Sequence, residues 1–516
     1  LTRERYKNDM KDISKLSIKE KLGQLVVMGF DTVDYGEHLN YLIKEIKCGN
    51  FILFSHNFVD ANKLKNLTKI IYEKEIDEIG VLPFICIDQE GGFVTRLTND
   101  VTIVPSPMSS SSSSYPNASY ECGKILGSDM IKLGINFDFA PCLEVNRNLE
   151  DYLSNVRCYS SNVDKISTYV KMFKKGLLEN GVLSCLKHFP GEGRAQVDSH
   201  LYLPIVDISL DMLFQEELIP FISNLDSPSI IVSHTMYKQI DEKPASISKI
   251  ILTEILRNKL GYKGLIISDC MEMKAIDDYY TTAKGALEGL VNGCDMVLIT
   301  HSLNKQKETM DMLYKAYQEK ILTDAMIDEK LERIYKYKKE TIKHLEINFF
   351  NENKYIKNKI FIETAYNIVE KSLTIVSGKE PKINNNLRTI IITKDKYNHS
   401  LVEDDNNRSL NNKLTIALEN KVTIKEYQDN DFSLLCENYD QVILVSVEYL
   451  ENYLTNIEIN TLNTKNNFYL ISLKGPMNKK VFKGNHICLY ECSDYSLKTL
   501  AKYLMGLITA EGKMPE

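Results

Sequence analysis

The chain has 516 residues, 43% of them hydrophobic and 26% charged, the proportions of a globular protein with ample core spread over about two to four domains. With 63 Lys and Arg against 70 Asp and Glu the formal net charge is −7, which argues against nucleic acid or an anionic membrane surface as a partner. No apolar run reaches the length of a membrane span, and the polar opening Leu1-Thr2-Arg3-Glu4-Arg5 has no signal-peptide core.

In chain order, Ser17-Ile18-Lys19-Glu20 has the spacing of a capping box and predicts a helix start. Apolar runs bounded by turn residues then recur at 24–30, 50–55, 82–88, 136–141, 183–188, 230–235, 264–269 and 295–300. Stretches of helical periodicity, such as 120–133, 164–179 and 250–260, lie between them. Buried strands alternating with helices in this way predict a (β/α)8 barrel of the TIM type. A doubly wound open sheet is the alternative, but no Gly-rich phosphate fingerprint follows the first strand. The serine run 109–114 reads as a mobile surface loop. A single long helical stretch over 305–345 closes the unit, so the barrel is expected to occupy 1–345 and an Asn/Lys-rich linker 346–358. Strands expected at 372–376, 388–393, 441–447 and 468–473 place a smaller α/β open-sheet domain in 359–516. The 11 cysteines are odd in number, and Cys86, Cys185 and Cys294 sit inside apolar runs, as reduced buried thiols do. The cytoplasm is therefore the expected compartment, with export as the alternative because the sequence opens on Leu1 rather than Met.

In a barrel the strand ends converge on one mouth. The third predicted strand ends in Asp88-Gln89-Glu90-Gly91-Gly92 with Arg96 beyond, the fifth in Lys187-His188, the sixth in Ser233-His234 and the seventh in Ser268-Asp269. Two His, several carboxylates and two cations suit a pocket for hydroxyl-rich ligands. Asp269 at a strand tip reads either as a nucleophile towards an anomeric carbon or as the N-cap of a helix over 270–276. Beyond Pro190, Gly191 and Gly193 come Asp198 and His200. In an extended backbone residues two apart point the same way, so Asp198 is expected to hold one nitrogen of His200 and leave the other for proton transfer. The competing explanation is an ordinary turn in a surface loop. Lys187 and His188 read equally as ligands for sugar hydroxyls and as a satisfied core pair. His188, Asp198, His200 and His234 lack the tight spacing of a zinc motif, so neither metal nor cofactor is expected. His234 and Met236 are read as pocket wall and Cys270 as a small filler rather than a thiol nucleophile. Gly91-Gly92 serves either close backbone approach to a ligand or a tight turn.

Lys187-His188-Phe189-Pro190-Gly191-x-Gly193 with Asp198-x-His200, together with Ser268-Asp269-x-x-Glu272-Met273, resembles the β-N-acetylglucosaminidases of glycoside hydrolase family 3. Leu16-Ser17-Ile18-Lys19-Glu20-Lys21-Leu22-Gly23-Gln24 and Ile87-Asp88-Gln89-Glu90-Gly91-Gly92 through Arg96 resemble that family's other signatures, and the similarity covers about residues 16–345. The resemblance implies a retaining mechanism with Asp269 as nucleophile, His200 as general acid/base and Asp198 as its orienting partner. Asp88, Arg96, Arg157, Lys187 and His188 fall where the family holds the hydroxyls of N-acetylglucosamine. The implied partner is a glycan or muropeptide carrying N-acetylglucosamine, in cell-wall recycling, with inorganic phosphate as an alternative acceptor and a non-catalytic sugar-binding protein as the remaining alternative. The loop bearing His200 is expected to close over substrate. Phe93 departs from the family, which usually has Arg there, and leaves the surroundings of that turn, including the leaving-group side, open. Gly512-Lys513-Met514-Pro515 resembles the usual ending of the family's second domain.

Overall fold

A computed structural model describes residues 10–98, 100–147, 155–350, 354–383, 386–394, 410–428 and 430–515. Each of the eight apolar runs of the first part contains a strand: β1 (Val26–Met28), β2 (Asn50–Leu53), β3 (Phe84–Ile87), β4 (Phe137–Asp138), β5 (Leu183–Phe189), β6 (Ser229–Val232), β7 (Leu265–Cys270) and β8 (Met296–Ile299). All are parallel, and they close into a barrel in which neighbours in sequence are neighbours in space, with β8 returning to β1. β2, β3, β6 and β8 are buried along their whole length, as parallel strands covered on one face by helices and packed inside the barrel on the other must be. β1, β2, β3, β4 and β8 stop short of the ends of their runs, whereas β5 and β7 run one residue past theirs and carry Lys187, His188 and Asp269 on the strand itself. Ser17 and Glu20 form the capping box of the first helix, Ile18–Gly23. Among the described residues no helix is long and apolar enough to cross a membrane.

Two expectations need correction. The stretch 305–345 is two helices, Leu303–Gln318 and Asp324–Leu345, separated where Lys320 takes a left-handed φ of 61° and Thr323 caps the second. Neither Gly nor Pro marks that break, so hydrophobic periodicity ran across it. The serine run is not a surface loop. Ser106 caps a helix, Pro107–Ser112, whose Ser109, Ser110 and Ser112 are buried. It lies against the second domain: the Ser109 hydroxyl bonds to the Ser372 hydroxyl (3.1 Å), and the Ser106 hydroxyl donates to the Tyr490 carbonyl (2.8 Å). Small side chains let the two backbones approach, and hydroxyls satisfy the polar groups that approach buries.

The second domain is an open sheet of β9 (Thr374–Ser377), β10 (Thr389–Lys394), β11 (Thr423–Glu426), β12 (Gln441–Ser446), β13 (Phe468–Ser472) and β14 (Asn485–Cys488), in the order β9-β14-β13-β12-β10-β11. All pairs are parallel except β9 with β14. β11, a half-exposed edge strand, and the short β14 were not legible in the apolar pattern.

Phe93 belongs to this junction. It is buried in an apolar cluster with Met108 and Val156 of the barrel and Leu373, Leu489 and Tyr490 of the second domain, and the Lys474 ammonium stands 5.1 Å from its ring centre. Gly91 and Gly92 (φ 96° and 60°) make a tight turn packed on Pro105 and Ser106, where a Cβ on Gly92 would come within 2.6 Å of the Ser106 Cβ. Phe93 is thus an apolar anchor that faces the second domain rather than the cavity. Truncation by Phe93→Ala is expected to lower stability by about 3–5 kcal/mol, seen as a reduced midpoint of denaturant unfolding.

Candidate active site

The mouth of the barrel holds a cavity of about 620 Å³. Every residue chosen from sequence as catalytic or substrate-binding lines it: Asp88 and Arg96 after β3, Arg157 after β4, Lys187 and His188 on β5, Asp198 and His200 beyond it, and Asp269 on β7. One wall is built on Glu90, a side chain with no exposed surface. Arg157 grips its two oxygens through Nε (2.8 Å) and Nη2 (2.7 Å), and Lys187 Nζ lies 2.7 Å from Glu90 Oε1 and 2.7 Å from Asp88 Oδ1. Burial by itself raises the Glu90 pKa, but Arg157 and Lys187 outweigh it and hold the carboxyl well below the usual range. Asp88 and Glu90 in turn keep the buried Lys187 ammonium protonated against the cost of burial. Arg96 is held beside them through its backbone N–H, which donates to Gln89 Oε1 (2.8 Å).

His188 is oriented by Glu144, whose Oε1 accepts from the His188 backbone N–H (2.8 Å) and lies 2.7 Å from Nδ1, while its Oε2 accepts from the Glu192 N–H (3.0 Å). Glu192 lines the cavity and takes a hydrogen bond from Thr235 (2.8 Å). Burial, then the nearby Asp269 charge, raises the Glu192 pKa despite the neighbouring His188.

Asp269 does not cap a helix: the helix that follows is Lys274–Tyr280, with Met273 at its N-cap position. Its Oδ1 accepts from the Cys270 N–H (2.7 Å). Burial raises its pKa, yet the imidazoles of His188, His234 and His200 outweigh that and keep the carboxyl below its ordinary value. The adjoining loop is tied down by Glu272, which accepts from the backbone N–H groups of Thr300 (2.7 Å), His301 (2.6 Å) and Ser302 (2.9 Å). Burial pushes the Cys270 thiol up to about 12, and its sulfur lies 3.1 Å from the Thr300 hydroxyl.

Asp198 and His200 pair through a turn rather than an extended strand. Asp198 Oδ1 accepts from the His200 backbone N–H (2.8 Å) and lies 2.7 Å from ring Nδ1, while the Asp198 carbonyl accepts from Leu201 and Tyr202. A residue-to-residue bond that begins at i and ends at i+2 is the short-range geometry Asp favours, and it brings the ring with it. Burial disfavours the charged ring, but Asp198, with Asp269 behind it, lifts the His200 pKa above the ordinary 6.5. The loop is already docked, since the Ser199 carbonyl accepts from the Ala275 N–H (3.3 Å). His234 is fully buried and lies behind the cavity, bonded through Nδ1 to Ser246 (2.7 Å) and through Nε2 to the Cys270 carbonyl (2.8 Å). It supports the β7 tip instead of forming pocket wall, and Met236 is likewise not a lining residue.

Sequence reasoning missed the buried partners. Glu90 stood in plain view two residues after Asp88, but only the fold sets it between Arg157 and Lys187. Glu144 and Glu192 carried no signal apart from lying near the ends of apolar runs. The opposite rim, Phe54 stacked on His56 (5.7 Å) and tilted against His301 (5.0 Å), comes from β2 and β8 and shares no motif. Among the described residues, the donors that approach one another as metal ligands do are those of Cys142, Glu144 and His188, not the set His188, Asp198, His200 and His234 weighed from sequence.

Residues 17–337 match the family described as glycosyl hydrolase family 3 N terminal domain. The chain belongs to glycosyl hydrolase family 3. It is 30% identical over 326 residues to a protein named Beta-hexosaminidase A from Pseudoalteromonas piscicida, a match that covers 58% of this chain and 54%, about half, of that relative. It is 32% identical over 272 residues to a Beta-hexosaminidase of Neisseria gonorrhoeae, covering 51% of this chain and 74% of the relative. Among solved structures, a glycoside hydrolase family 3 beta-N-acetylglucosaminidase from Paenibacillus superposes with a TM-score of 0.87 at 26% identity, covering 97% of this chain and 98% of that one. The likeness to the Paenibacillus family member thus spans both domains.

Within this family 3 barrel the ion cluster has a pH signature. Glu90→Gln is expected to cost about 3–5 kcal/mol, because it takes away the anion two buried cations share. The wild-type carboxylate contributes in full above its ordinary pKa of 4.5 and loses its contribution as pH falls below that towards the depressed native value. The stability gap between wild type and variant, read by denaturant titration, should therefore be widest near neutrality and narrow on acidification.

Proposed function

We propose that the chain is a retaining exo-β-N-acetylglucosaminidase that removes a non-reducing N-acetylglucosamine, with peptidoglycan fragments as its substrate class and cell-wall recycling as its setting. The observation that carries this reading is that Asp269 and the Asp198–His200 pair, from segments some seventy residues apart, face one cavity beside a bracket of fixed charges suited to sugar hydroxyls. The names of the Pseudoalteromonas and Neisseria relatives and of the Paenibacillus enzyme support an amino sugar as the group removed.

In the first step the Asp269 carboxylate bonds to the anomeric carbon while the bond from that carbon to the leaving oxygen breaks, and His200 gives its proton to that oxygen. In the second, neutral His200 takes a proton from water, whose oxygen displaces Asp269. Asp88, Arg96, Arg157, Lys187 and His188 hold the sugar's hydroxyls in both. The leaving group lies beside the ring that protonates it. The Phe54–His56–His301 rim lines the same cavity as His200 and is the leaving-group side in this reading, where ring faces stack on a pyranose.

Asp269→Ala is expected to abolish turnover. His200→Ala should lose most activity on glycosides with poor leaving groups and least on an activated aryl glycoside, which needs no protonation; equal losses on the two would remove His200 from the acid role. The groups facing His200 are Asp198, Asp269, Arg157, His234 and His301, and their balance raises its pKa. The alkaline limb of kcat/KM should therefore lie above pH 6.5 and move to lower pH in Asp198→Asn, where the stabilising charge is gone.

One feature favours phosphate as a second acceptor: an imidazole in place of a second carboxylate leaves less negative charge opposite Asp269, with Arg157 nearby. Incubation with inorganic phosphate separates the readings. Free N-acetylglucosamine alone supports hydrolysis, N-acetylglucosamine 1-phosphate supports phosphorolysis, and turnover of either kind rules out a mere sugar-binding protein.

A further inference from the structure

Behind the sugar side of the cavity lies a cluster whose sulfur the reaction does not use. Cys142 pairs with Lys187 as an isolated parallel bridge, which brings its side chain beside the ring of the next residue, His188. The Cys142 sulfur, a Glu144 carboxylate oxygen and a His188 ring nitrogen all lie within 4.8 Å of one another, with Cys142 and Glu144 buried and His188 at the edge of the cavity. Glu144 Oε1 is 2.7 Å from His188 Nδ1. Thiolate, imidazole and carboxylate together are the donor set of zinc-like cations, and the sulfur selects against magnesium and calcium. A water can supply a fourth ligand. The way in is the cavity, because the His188 side chain keeps 12% of its surface exposed there.

We propose that Cys142, Glu144 and His188 form a site for a thiophilic divalent cation such as Zn2+, entered from the cavity, and that its occupation inhibits the enzyme. The cation draws His188 and Glu144 into its own coordination and takes the ring from the sugar. The inhibitory half rests on the reading of His188 given above; the binding half does not.

The test uses the full chain with Co2+ as a spectroscopic probe, then Zn2+ as competitor and inhibitor. Wild type is expected to show a sulfur-to-cobalt charge-transfer band in the near ultraviolet that Zn2+ abolishes. Cys142→Ser, and Cys142→Ala should serine disturb the packing, should lack the band, whereas Cys270→Ser should keep it. Zn2+ should inhibit hydrolysis of an aryl N-acetylglucosaminide. Its half-inhibiting concentration should rise at least roughly tenfold in Cys142→Ser, since even outer-shell partners are worth that much, while activity without zinc stays unchanged. A wild type without the band, or a band lost in Cys270→Ser and kept in Cys142→Ser, overturns the site. A band without inhibition overturns the inhibitory role, and the band decides the site whether or not the chain turns over any glycoside.

Discussion

Glu90 holds the guanidinium of Arg157 through both carboxylate oxygens and shares one of them with the Lys187 ammonium, which also reaches Asp88. These side chains come from the segments after β3 and β4 and from β5 itself, so the contact joins three consecutive sectors of the barrel mouth. Charges this deeply buried are tolerated only as a complete set, because losing one member leaves another without compensation in a medium that solvates it poorly. The cluster therefore sets the relative positions of the segments that carry it. It also leaves Asp88, the most exposed of the four at 20%, lining the cavity.

The second domain acts on the same cluster from outside. Phe93, three residues after Glu90, and Val156, the neighbour of Arg157, both pack into the second domain's apolar core. The Ser160 hydroxyl, three residues beyond Arg157, donates to the Pro515 carbonyl near the end of the described chain (3.1 Å). The serine helix Pro107–Ser112 fills the seam between these contacts. The segments after β3 and β4 that carry the ion network are thus braced by apolar burial against a domain none of whose described residues lines the cavity. Its place in the fold is that of a clamp on the loops after β3 and β4.

Across the cavity, the two groups assigned to the proposed reaction need opposite charge at neutral pH, an anionic carboxylate and a protonated ring. Each supplies part of the other's field. The imidazoles around Asp269 hold its carboxyl below the ordinary range despite burial, and Asp198 with Asp269 raises the pKa of His200. Burial works against both, and the charges win because they are close, fixed and poorly screened. A ring acid of this kind avoids a second carboxylate whose repulsion would oppose ionisation of the first.

Much of this was legible in the residues. Eight apolar runs with helical stretches between them specified a parallel barrel, since strand and helix periodicities are local properties, and polar strand ends marked its mouth. Asp88, Lys187, His188 and Asp269 stood out as polar residues ending apolar runs and Asp198 and His200 as a pair two residues apart, but each also had a local reading, and their roles came only from the resemblance to a family. What lay outside the sequence's reach depends on partners distant along the chain. A serine-rich stretch looks the same whether it faces solvent or a second domain, and Ser106 and Ser109 are buried only because Tyr490 and Ser372 lie opposite. Phe93 left the surroundings of its turn open until the fold set it against Leu373 and Tyr490. Asp198 and His200 were paired correctly but for the wrong backbone, a turn instead of a strand. The local pattern determined the elements and which polar side chains stand at their ends; tertiary packing decided which charges face each other, because burial and Coulomb energy depend on distance in space, not on distance in sequence.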